Sequence, residues 1–102
     1  MDRMKEIFLQ KELHQFDPIA LRYIFLNLIE EHDDAKTISV DFTAIEYVTG
    51  IFLGALVFFL KKAKDRGITI QLVNVRPDIE RIFRLTALDR IFTINSSTWL
   101  KK

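Results

Sequence analysis

Asp41, Thr49 and Asn74 are the polar side chains placed where an α/β domain would do chemistry, since each falls at or just after the carboxyl end of an expected strand. A carboxylate, a hydroxyl and an amide at such an edge could hold a small ligand or a nucleotide. None of the three belongs to a phosphate-binding motif, because Gly50, Gly54 and Gly67 match neither the dinucleotide nor the Walker spacing. Asp41 ends a strand expected to be buried, and its expected role is to accept hydrogen bonds that organise the following loop. His14 and His32 lack a second ligand at metal-binding spacing. Ser39, Ser96 and Ser97 lack the setting of a nucleophile elbow. Glu30, Glu31, Asp33 and Asp34 gather at a helix end and read as a solvated face. These patterns predict no catalytic residue, no metal and no cofactor, so an enzyme is the weaker class of function.

Composition narrows the classes further. A chain of 102 residues has room for one domain, expected to span 1–102. Ordering it costs on the order of 150 kcal/mol of conformational entropy. A 49% apolar content with nine phenylalanines supplies a core to offset that. A net charge of +1 gives no electrostatic case for nucleic acid or an anionic membrane. Absence of cysteine removes disulfides and thiol chemistry and fits a reducing cytoplasm. No basic segment leads into an apolar run near the amino terminus. The longest near-apolar run, Val48 to Leu60, is short for a bilayer and is interrupted by Thr49, Gly50 and Gly54. The expectation is a cytoplasmic protein without direct membrane insertion.

Periodicity gives the elements that must position these residues. Thr37 to Phe42 alternates Ile38, Val40 and Phe42 with Thr37, Ser39 and Asp41, which predicts a strand. An earlier strand is expected over Lys5 to Leu13, with Ile7, Leu9, Lys11 and Leu13 on one face and Phe8 on the other. Asp17 followed by Pro18 starts a helix whose stripe is Leu21, Ile24, Phe25, Leu28 and Ile29, running to about His32. A helix from about Ile51 is expected to lay Leu53, Leu56, Val57 and Leu60 on the sheet and to close at Gly67. Phe52, Phe58 and Phe59 then form a second apolar surface, covered by a neighbouring element, by a partner or by a second copy in a homodimer. Ile68 to Val75 predicts a central strand covered on both faces. A short helix with Ile79, Ile82 and Phe83 follows, then a short strand at Phe92 to Ile94 and a terminal turn around Trp99 capped by Asn95, Ser96 or Ser97. Alternation of strands and helices predicts an α/β fold with a mostly parallel sheet and helices packed on it.

The order of these elements, with the strand ISVDFTAIEYV, the helix LGALVFFLKKAKDRG, the strand ITIQLVNV and the segment IFRLTALDRIF, resembles the sulfate-transporter and anti-sigma-factor-antagonist (STAS) domain family. The similarity covers about Thr37 to Ile94. Asp41 falls where the family has aspartate at the end of this strand, and Gly54, Ala55 and Leu56 match the start of its next helix. Leu85, Thr86, Leu88 and Asp89 match a leucine-threonine-glycine-leucine-aspartate run, with Ala87 in place of the glycine. The resemblance implies a four- or five-stranded sheet, a noncatalytic role and a part in protein–protein signalling.

Departures from the family pattern shape the functional expectation. Phospho-switched members carry a serine acceptor at this helix start, and the ungapped alignment places Ile51 there. Thr49 is the one hydroxyl nearby, so a phosphorylated version depends on it. The section before the helix at Asp17 shows one strand where family members commonly have two. The expected partner surface is the loop and first turn Tyr47, Val48, Thr49, Gly50, Ile51, Phe52 and Leu53. For anti-sigma-factor antagonists the implied partner is an ATP-binding kinase that holds a sigma factor; for other STAS proteins it is a membrane transporter served by a cytoplasmic subunit. A small-ligand or nucleotide-binding domain built on Asp41, Thr49 and Asn74 is the alternative class.

Overall fold

A computed structural model describes residues 4–96. Strand β1 (Met4–Phe8) leads through a 3-10 turn (Lys11–Gln15) to helix α1 (Pro18–Glu31), and β2 (Thr37–Asp41) through a loop to α2 (Gly50–Asp65). Strand β3 (Thr69–Val75) is followed by α3 (Pro77–Leu85), a 3-10 turn (Leu88–Arg90) and β4 (Thr93–Ser96). The four strands are parallel and lie in the order β1-β2-β3-β4. Successive right-handed crossovers in one direction put the helices on one face. Ile7, Val40 and Leu72 stand side by side in the ladder and are buried beneath that layer.

Local chemistry accounts for most element ends. The Asp17 side chain accepts from Ala20 N–H at 2.8 Å, and Pro18 occupies the first turn of α1, where its missing donor costs nothing. At the far end of α2, Gly67 takes φ +71°, a left-handed conformation that releases the chain into β3.

Four expectations are corrected. The first strand stops at Phe8, because Leu13 N–H bonds to Gln10 C=O and a tight turn brings Leu13 to the core while Lys11 stays exposed. Helix α2 is rotated: Phe52, Ala55, Leu56, Phe59 and Ala63 are buried, while Leu53, Val57 and Leu60 flank them half-buried. Two apolar stripes overlap in this helix, and the one combining large rings with alanines packs closest. Phe25 meets Phe52 and Phe59 at centroid separations of 6.3 and 4.8 Å, so α1 supplies the cover that the surplus rings required. Phe58 remains at the surface, half-buried beneath the Arg22 guanidinium and the Lys62 ammonium.

The third correction concerns β3, which is covered on one face. Ile70 and Leu72 point into the core and Val73 away from the helices, while Asn74 at φ +56° shifts the register and returns Val75 to the core side. The uncovered face mixes polar and apolar side chains: Gln71 Nε2 donates to Ser39 Oγ at 2.7 Å, Ser39 Oγ faces Met4 Sδ at 3.9 Å, and Phe8 and Val73 lie on the same face. Fourth, Asn95 and Ser96 belong to β4, and the turn expected around Trp99 lies outside the described residues.

Candidate functional site

The loop from β2 to α2 is built from Asp41 outward. Its Oδ1 accepts from Thr43 N–H at 2.8 Å, from the Thr43 hydroxyl and from Asn74 Nδ2 at 3.3 Å. The left-handed backbone of Asn74, which asparagine tolerates well, aims its amide at this carboxylate and ties the ends of β2 and β3 together. Burial would raise the Asp41 pKa, but the three hydrogen bonds outweigh it and hold the group below its ordinary value. Phe42 and Ile45 then plunge into the core, and Ile45 N–H closes a turn on Phe42 C=O at 2.9 Å.

The chain re-emerges as Glu46, Tyr47, Val48 and Thr49. Thr49 caps α2: its Oγ1 accepts from Phe52 N–H at 3.1 Å and its carbonyl from Leu53 N–H at 2.9 Å. One residue separates opposite fates in the first turn. Phe52 is 1% exposed and wedged between Phe25 and Phe42, whereas Ile51 is 52% exposed. Phe52 is therefore corrected from partner contact to anchor, because a ring enclosed by two other rings has no surface to offer. Tyr47, Gly50 and Ile51 are exposed; Val48, Thr49 and Leu53 are half-buried.

Gly54 and Arg22 also belong to this surface, and neither was singled out for it by its position in the sequence. With Pro18, Gly50, Ile51 and Ala55 they line a shallow cleft of about 150 Å³ between the amino-terminal halves of α1 and α2. Gly54 is exposed and a Cβ there would meet nothing within 4 Å, so the fold gives no steric reason for glycine in the helix. Helical spacing from Gly50 is the signal that could have found it.

Ile51 and Tyr47 leave exposed side-chain surface around this helix start. Asp41 and Asn74 are brought together but spend their bonds on the loop, and Thr49 spends its acceptor on the helix. Among the described residues no cluster of three or more histidine, aspartate or glutamate side chains could hold a metal. No described helix is long and apolar enough to cross a membrane. His32 Nδ1 lies 2.8 Å from Leu28 C=O at the end of α1.

Comparison with known proteins places this geometry. The profile of the STAS domain family matches residues 3–98. A crystal structure of a candidate anti-sigma factor antagonist from Thermotoga maritima is similar at 24% identity and TM-score 0.66, covering 97% of this chain and 84% of the other. An NMR structure of the same Thermotoga protein gives 25% identity and TM-score 0.73, with 95% and 77% covered. A chain of the stressosome, described as a signal integration and transduction hub, shares the fold at 19% identity and TM-score 0.75, with 97% and 86% covered.

Proposed function

This chain belongs to the STAS domain family, and on that premise we propose that it is a noncatalytic protein-binding module of the anti-sigma-factor-antagonist kind whose docking surface is constitutively apolar. The observation that carries the reading is the pairing of Ile51, exposed at the start of α2, with Phe52, locked in the core beside it. The rings hold the first turn still while Ile51, Tyr47 and the bare backbone at Gly54 face outward. A glycine inside a helix costs roughly 1 kcal/mol relative to alanine. Among the described residues nothing uses that space, so the opening is read as room for a partner's backbone.

The partner proposed is an ATP-binding anti-sigma-factor kinase in the cytoplasm, in a partner-switching pathway. Where a phospho-switched member would carry a hydroxyl, Ile51 has none, and the interaction is set by partner supply rather than by a phosphate at that position. A regulated version rests on Thr49. Phosphate there would add roughly −1.5 to −2 charges at a helix start and remove the present cap. Capture from extract of the source cell, with wild-type protein and Ile51→Asp as baits, tests the reading. Recovery of a kinase-like ATPase by the wild type alone supports it; recovery of transporter subunits, or equal recovery by both baits, counts against it. Mass spectrometry after incubation with the captured kinase and ATP locates any phosphate, and modification elsewhere than Thr49 removes the regulated version.

A further inference from the structure

The edge of the sheet at β1 is open in two ways at once. Among the described residues β1 pairs only with β2. Leu9 N–H points to β2, where it bonds to Asp41 C=O at 3.1 Å. Backbone alternation in a parallel ladder therefore turns the N–H and C=O groups of Glu6 and Phe8 outward, away from β2. Beside this edge, on the helix side, lies an apolar groove of about 500 Å³ lined by Ile7, Leu13, Phe16, Ile24 and Leu28 among others. Phe8 and Phe16, 59% and 42% exposed, stand at its margins. Free main-chain groups next to an apolar groove are the two components of recognition by strand addition, in which the backbone supplies affinity and the pocket supplies choice of side chain.

From this juxtaposition we infer that β1 accepts an extended segment of a partner protein as a fifth strand, with apolar side chains filling the groove and basic side chains on the opposite face. The basic requirement comes from Glu6. It shares the uncovered face with Met4 and Phe8, and it has no ion-pair partner among the described residues. A residue of an added strand opposite Glu6 lies within reach of its carboxylate. Glu12, at the groove itself, lies on the other side of the added strand and adds nothing to this requirement. Lys5 sits toward the amino end of the groove side, so the charge preference is local to the face that carries Glu6.

A second copy of this chain fits the same edge poorly. Two-fold antiparallel pairing centred on Glu6 or on Lys5 brings like charges face to face, and pairing centred on Ile7 sets Glu6 against Phe8 and Lys5 against Leu9. Like charges directly opposite are destabilising, and charged residues on a short edge strand discourage indiscriminate pairing. The groove adjoins the loop before α2, since Glu12 and Tyr47 line one small pocket, but Ile51 at the start of α2 lies outside both, so Ile51→Asp and Glu6→Lys test the two readings separately.

The test is a titration of the isotope-labelled chain, followed by NMR, with a short blocked peptide that alternates valine or leucine with lysine. Glu6 and Phe8 amides should gain exchange protection, and replacing lysine by glutamate in the peptide should weaken binding by about tenfold or more. N-methylation of peptide residues whose N–H groups face β1 should weaken binding by a similar factor, while methylation of the alternate set leaves it unchanged. Glu6→Lys, at an exposed position that leaves the fold intact, should reverse the preference toward the glutamate peptide; Phe16→Ala should weaken both peptides. Absence of binding by either peptide, equal sensitivity to both methylation patterns, or protection of Glu6 and Phe8 in a concentration-dependent dimer of the chain alone would each overturn the inference. Capture results at Ile51 bear on the other surface only.

Discussion

Replacing Gly54 by alanine should make this protein more stable and its partner binding weaker. Gly54 is the fifth residue of the sixteen-residue helix α2 (Gly50–Asp65), well inside its hydrogen-bonded span. Glycine there exacts about 1 kcal/mol relative to alanine, because more backbone freedom is lost on folding. Among the described residues the added methyl meets no atom within 4 Å beyond its own stretch of helix, so no clash offsets the gain and no burial adds to it. For a domain near this size, 1 kcal/mol raises the melting temperature by roughly 4–8 °C. Thermal and urea denaturation followed by circular dichroism read this directly, with the urea midpoint rising at constant slope. A fall in stability would mean that the helix is not regular at Gly54 or that its surface is covered in the free protein, and the argument for an open approach would fail. At a tight interface the same methyl should cost roughly 1–3 kcal/mol through overpacking, or about five- to 150-fold in affinity.

Other perturbations separate the anchor from the display. Phe52→Ala should destabilise by roughly 3–5 kcal/mol, a large part of the 5–15 kcal/mol typical of a domain, whereas Ile51→Asp should change stability by no more than about 0.5 kcal/mol; urea titration of both variants checks the contrast. Ala87, at φ +64°, holds the left-handed conformation that the family's glycine would favour. Relief of roughly 1–2 kcal/mol of strain, less up to about 1 kcal/mol of extra unfolded-state entropy, predicts a net gain of several tenths to about 1 kcal/mol for Ala87→Gly, read as a higher melting temperature. Asp41 has a lowered folded-state pKa, so its stabilising contribution is full above the unfolded value of about 4 and is lost as pH falls through the folded value. Asp41→Asn should lower stability at neutral pH and flatten that part of the acid dependence, as measured by urea midpoints across the acid range.

Much of the architecture was legible because local signals agreed with one another. Asp17-Pro18 marked the start of α1, Gly67 the end of α2, and the alternation in Thr37 to Phe42 the buried strand at the centre. What escaped were choices made by packing. Both stripes of α2 are regular, and only the presence of Phe25 and Phe42 across the interface decides that Phe52 and Phe59 turn inward. The pattern Ile7, Leu9, Leu13 suits a continued strand, yet a tight turn buries the same three residues with fewer extended positions. One-sided coverage of the sheet depends on the order in which strands are laid down, which no stretch of β3 encodes alone.

At the site, the loop residues were readable by type while their accessibility was not. Asp41 accepts from Thr43 and Asn74 at the base of the loop. The division between Ile51 and Phe52 follows from α2's rotation, which hydrophobicity leaves undetermined because both residues are apolar. Gly54 became informative only when its surroundings proved empty.

The most direct measurement is the affinity of the captured kinase-like ATPase for purified wild-type protein and for Ile51→Asp, by calorimetry under identical salt and nucleotide conditions. Loss of about tenfold or more in affinity, with the variant's urea midpoint unchanged, is the predicted result. Equal affinities would place the partner surface elsewhere and contradict the account.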